Sequence, residues 1–195
     1  AEMAEVHDVD ETALREGRVA TRYYGELRVP RVGAYLQHLK SGGREVEALV
    51  LDEIAAAVVE RLSGRDGLVV LGPGSTVNAI KSKLGIRGTL LGIDLVRDGR
   101  LVGTDVDAAE LIRQVSTDTV LVLSFTRGQG FLMGRGNQQL TPAFLRNVQR
   151  SNIWVVASRT KLASLDGRPL LVDSGDEDVD ARLGGLIEII SGYED

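Results

Sequence analysis

The sequence has 195 residues, 43% of them apolar, enough for one α/β domain or for one domain with an appendage. Its 28 acidic and 23 basic side chains leave a net charge of −5, and a mean field of that sign favours neither nucleic-acid binding nor adhesion to a membrane surface. No cysteine is present, which excludes disulfides, thiolate catalysis and Cys-based metal sites.

The two histidines, His7 and His38, lack the close spacing of a metal pair, so no metal site is expected from them. Without a signal-type or membrane-spanning apolar run, a cytoplasmic location is expected. The chain opens Ala-Glu-Met with no initiator methionine and is read as one part of a longer protein, with residues 1–40 forming the junction to an upstream domain.

In chain order, residues 2–10 and the alternating stretch 18–29 predict two antiparallel strands. Asp8, Asp10, Glu11 and Arg15 either form a polar site or mark a solvated strand end and helix start. Residues 33–40 predict a short helix. From 44 to 62 the apolar residues Val46, Val50, Leu51, Ile54, Val58 and Leu62 trace one helical stripe that ends at Ser63-Gly64. An α/β rhythm follows, and residues 41–195 are expected to form one α/β domain, a mostly parallel sheet flanked by helices and preceded by the small antiparallel pair.

Within that domain the predicted strands are 67–71, 89–96, 119–125, 153–157, 169–172 and 186–190. The predicted helices are 77–84, 108–115, 142–149 and turns near 161–165 and 179–183. Asp98-Gly99 marks a hairpin. Unbroken apolar runs such as VLVLSF and IWVVAS suggest strands covered on both faces.

Two Gly-rich stretches carry the chemistry. In LVVLGPGSTVNAI, residues 68–80, Gly72 and Gly74 allow a tight strand-to-helix turn, while Ser75 and Thr76 can cap the helix beside N–H groups that attract a phosphate or carboxylate. The Walker pattern is absent, and ligand-free α/β turns use the same residue types. The second stretch, TRGQGFLMGRGNQQLTP at 126–142, combines Gly128, Gly130, Gly134 and Gly136 with Arg127, Arg135, Gln129, Asn137, Gln138 and Gln139. Glycine admits close approach, arginine offers a planar fork to phosphate, and amides supply donors and acceptors. Its bland alternative is a surface loop that plugs Phe131, Leu132 and Met133 into the core. Asp94 and Asp173, each beside an apolar strand, are possible magnesium ligands beside a phosphate, and Lys161 could neutralise an anion or be a plain surface lysine.

The segments GPGSTVNAI, TLLGIDLV, GQGFLMGRGNQQLTP, Lys161-Leu162, VDSGDEDVD and ISGYED resemble the C-terminal part of the ATP-NAD kinase-like family, in the branch of predicted polyphosphate/ATP-NAD kinases and the acetoin catabolism protein X. The opening 5–30 resembles the segment after that branch's nucleotide-binding domain. The resemblance implies a cytoplasmic domain that binds a nucleotide or phosphorylated small molecule, with Mg2+ beside ATP or NAD. Phosphoryl transfer to NAD, for NADP biosynthesis, would then require an upstream kinase-like domain, because the family's Gly-Gly-Asp-Gly-Thr catalytic loop does not occur here. A homo-oligomer is expected, with neither nucleic acid nor membrane as partner. Two alternatives stay open: a sugar-phosphate isomerase or CoA-transferase-like module, since GPGST resembles the phosphate loop of ribose-phosphate isomerases, and a non-enzymatic regulatory or oligomerisation domain.

Overall fold

The computed structural model describes residues 2–9, 12, 21–29 and 43–193. The chain divides into two compact units, Ala1–Arg44 and Glu45–Asp195. In the first, β1 (Glu2–Val9) and β2 (Thr21–Val29) pair antiparallel, Glu2 opposite Val29 and Val9 opposite Thr21, with a register shift between Val6 and His7. The helix expected at 33–40 and the polar group Asp10, Glu11 and Arg15 lie outside the described residues.

The second unit takes up helix α1 (Gly43–Leu62) from Glu45 onward and then a six-stranded sheet of order β5-β4-β3-β6-β7-β8. Its strands are β3 (Leu68–Leu71), β4 (Asp94–Arg97), β5 (Arg100–Gly103), β6 (Val120–Leu123), β7 (Ile153–Val156) and β8 (Ile189–Ile190). β3, β6, β7 and β8 run parallel, while β4 and β5 form an antiparallel hairpin on one edge. Asp98 (φ 51°) and Gly99 (φ 70°) turn that hairpin, both in the left-handed region a two-residue primed turn requires.

Strand residues alternate between two cores. Leu68, Val70, Leu121, Leu123, Ile153 and Val155 face one side, with Leu111 of α3 (Ala108–Gln114), Phe144 and Leu145 of α4 (Pro142–Leu145), and Val179 and Leu183 of α6 (Glu177–Leu183). Leu71, Val120, Val122 and Val156 face the other, with Ile54 and Val58 of α1 and Val77 and Ile80 of α2 (Ser75–Lys83). Every residue of β6 is buried, as a strand covered on both faces demands.

The expected strand 89–96 is shortened to Asp94–Arg97 because residues 89–92 bond elsewhere. Thr89 and Gly92 carbonyls accept from Lys81, Thr89 N–H donates to Asp94, and Leu90 C=O accepts from Gly74 N–H. The expected strand at 169–172 is a single bridge between Leu171 and Phe131. The helix expected at 142–149 stops as α4 after four residues, the strand expected at 186–190 is the two-residue β8, and the acidic run after Gly175 becomes α6 with Asp176 as its N-cap.

Candidate functional site

From β3 the chain proceeds to β4 on one side of the sheet, whereas β6 proceeds to β7 on the other, and the helices that follow, α2 and α4, lie on opposite faces. This is a topological switch point, and open α/β sheets take ligands in the crevice beyond the carboxyl ends of such a strand pair. Gly72 fits tightly there. Its N–H donates to Val122 C=O at 3.0 Å, and an added Cβ would stand 2.8 Å from Leu123 Cδ2. Gly74, at φ 106°, turns the chain into α2 and donates to Leu90 C=O at 2.8 Å.

Gly74, and not Ser75 or Thr76, is the N-cap of α2, and no side chain caps it. The first-turn N–H groups are therefore left for an acceptor from outside the helix. Ser75 is exposed, whereas Thr76 is buried with its hydroxyl turned to a cation.

That cation is Lys161, in the short helix α5 (Arg159–Ala163), whose N-cap Ser158 accepts from the Lys161 backbone N–H. Lys161 Nζ donates to Ser124 Oγ at 2.8 Å and to Thr76 Oγ1 at 3.4 Å, and stands 5.3 Å from the centre of the Phe125 ring. Side chains that follow β3, β6 and β7 thus meet at one ammonium. Ser124 Oγ spends its own proton on Val156 C=O at 2.7 Å, which turns its lone pairs to Lys161. Burial lowers the Lys161 pKa from 10.5 to about 8; the Arg127 guanidinium adds to the fall and the Glu47 carboxylate opposes it. Arg127 and Glu47 are themselves paired at 2.8 Å, both half-exposed.

A phosphate or carboxylate oxygen entering this crevice meets an ammonium with a donor to spare, a guanidinium fork and the free end of α2. Above pH 8 the same amine is neutral and able to accept a proton, as a general base does.

Residues 66–195 match the model of the ATP-NAD kinase C-terminal domain family. The chain belongs to that family. No curated protein and no solved structure matches it.

In this ATP-NAD kinase C-terminal domain the second Gly-rich stretch is divided. Thr126, Arg127, Gly128 and Gln129 are exposed beside α5, where Gly128 N–H donates to Ser164 Oγ at 3.2 Å. Gly130 is buried and its carbonyl accepts from Leu171 N–H, while Leu132 and Met133 enter the core as the bland alternative has it, and Phe131, expected with them, stays half-buried. Farther on, Asn137 is 3% exposed, donating to Leu132 C=O and accepting from Gly134 N–H, so this amide braces its own loop. Gly134 (φ 93°) abuts the Asp173 backbone, and Arg135 covers the Phe131 ring at 4.5 Å. Gly136 and Gln138 are exposed, Gln139 is half-buried, and Asp173 is exposed.

Asp94 is fully buried and its two oxygens are taken by Lys81 at 2.8 Å, by Thr89 through both N–H and hydroxyl, and by Asp105 N–H. A carboxylate so engaged does not fit a magnesium ion, and Asp94 instead braces the 86–93 loop that receives Gly74. Among the described residues no three His, Asp or Glu side chains gather to hold a metal. No described helix is long and apolar enough to cross a membrane.

Three site residues escaped the sequence reading. Ser124 is a hydroxyl that interrupts VLVL-F at the strand's end, which was the available signal. Lys81 lies four residues after Val77 on an otherwise inward face of α2, an equally visible anomaly. Glu47 gave no signal, since it is one of several exposed acids on α1.

Proposed function

We propose that this ATP-NAD kinase C-terminal domain binds the phosphate of a nucleotide or phosphorylated small molecule at the switch point, with Lys161, Arg127, Ser124, Thr76 and the start of α2 as its receptors. The observation that carries the reading is the Lys161 ammonium suspended between Ser124 and Thr76, a half-buried cation with no carboxylate bonded to it among the described residues, at a place where such sheets take ligands. Family membership supports a nucleotide as the ligand. Phosphoryl transfer to NAD, in this reading, uses this domain for binding and takes its catalytic acid from a kinase domain carrying Gly-Gly-Asp-Gly-Thr, because the transfer rests on positioning and charge stabilisation around the phosphate.

The test is a thermal-shift panel of NAD, NADP, ATP, polyphosphate, ribose 5-phosphate and CoA, with and without Mg2+, on the wild type and K161A. A ligand at ten times its Kd stabilises the fold by about 1.4 kcal/mol, a shift of a few degrees. The expected result is a shift with at least one nucleotide that K161A loses. A response to ribose 5-phosphate or CoA alone would transfer the site to the isomerase or transferase reading, and silence throughout would overturn it.

A further inference from the structure

At the other end of β7 from Lys161 lies a cavity of about 430 Å³ whose wall includes Arg61, Arg65, Arg150, Trp154, Leu186 and Glu188. Three guanidiniums converge there in a chain of net charge −5. Arg150 holds the wall, its Nη2 donating to the carbonyls of Gly184 and Leu186, while its buried Nε has no acceptor among the described residues. Arg65 lies over the Trp154 ring, 5.2 Å from its centre, and meets no carboxylate among the described residues. Arg61 pairs with Glu188 at 2.8 Å, an ion pair with both partners well exposed and so of little strength. Leu186, 97% exposed, supplies an apolar lip.

We propose that this cavity is a second ligand site, for a small organic anion that carries a planar or apolar body. The body lies against Trp154 and Leu186, and the anionic group meets Arg65 and Arg61, taking the place of the weakly held Glu188. The chemistry of the lining selects both halves of such a ligand: guanidiniums recognise carboxylate or phosphate by their paired donors, the indole edge beside Arg65 takes a flat ring edge-to-face, and the volume suits a molecule of metabolite size. The site shares no residue with the Lys161 cluster, and the proposal does not depend on the reading given to that cluster.

Trp154 is the only tryptophan in the chain, so the one indole emission comes from the wall of this cavity, and the variants separate a response there from one at the switch point. The experiment titrates phenyl phosphate into the whole chain at neutral pH and follows tryptophan emission, with benzyl alcohol as a neutral ring and inorganic phosphate as a bare anion. The expected result is a saturable change with phenyl phosphate at about millimolar concentration, at least roughly tenfold weaker in R61A/R65A and retained in K161A. R65K, which keeps the charge but not the fork, is expected to fall between. An equal response in R61A/R65A with native thermal stability, an equal response to benzyl alcohol, or no saturable change in the wild type would each overturn the proposal. Loss in K161A with retention in R61A/R65A would assign the response to the switch point and overturn it as well.

Discussion

Lys161 governs the chemistry at the scale of single residues. With its pKa near 8 in the ligand-free protein, the proposed site would hold a phosphate ester, fully dianionic at that pH, by an ammonium below pH 8 and lose that partner above it. Affinity for the ester is expected to be flat from pH 7 to 8 and then to fall by up to about tenfold per pH unit, a fall absent from K161A; calorimetric titration at pH 7 and 9.5 checks it. Stability of the ligand-free fold runs the opposite way. A lysine depressed on folding binds fewer protons folded than unfolded between about 8 and 10.5, so its burial penalty is relieved as pH rises through that window, and urea unfolding of the wild type should gain on K161M there. Lys81 and Asp94 form a buried ion pair, 1% and 0% exposed. Asp94→Asn strands the ammonium and is expected to cost about 3–5 kcal/mol, whereas the apolar double variant K81M/D94L costs less than the two single changes together, as a double-mutant cycle in urea measures. The sequence offered Lys161 as a cation after a strand, but its partners Ser124 and Thr76 come from two other loops, and only the parallel pairing of β3, β6 and β7 brings them together.

Helices and strands were legible wherever pattern and local chemistry agreed. The stripe from Val50 to Leu62 and the Asp98-Gly99 hairpin follow from the residues alone, and α3 starts on the Asp107 cap, whose carboxylate accepts from Glu110 N–H at 2.8 Å. The stretch 89–93 did not, because its apolar letters read as strand while its backbone is claimed by Lys81, Asp94 and Gly74. Glycines separate by what surrounds them. Gly134 has left-handed φ and an added Cβ would strike the Asp173 carbonyl, whereas Gly128 has left-handed φ in open space. Gly128→Ala is expected to cost about 1–2 kcal/mol from backbone strain alone, and Gly134→Ala distinctly more, with Tm shifts in the same order.

Over the whole molecule, the switch between β3 and β6 opens the crevice proposed as the ligand site, and the family match over residues 66–195 lies within the second compact unit. Composition could bound the fold class and the mean charge, but not which of two Gly-rich stretches reaches the crevice. The first does, and of the second only residues 126–129 pack beside α5, since Gly134 and Asn137 are tied to Asp173 and Leu132. A fragment spanning 43–195 is accordingly expected to keep the cooperative unfolding and the phosphate affinity of the full chain, measured by calorimetry. The most direct measurement is the NMR titration of the Lys161 side chain with pH, first alone and then with saturating nucleotide or sugar phosphate taken from the thermal panel. Contact with the phosphate stabilises the ammonium, so the account predicts a pKa near 8 that rises by at least about one unit on binding. A pKa that the bound ligand leaves unmoved would contradict it.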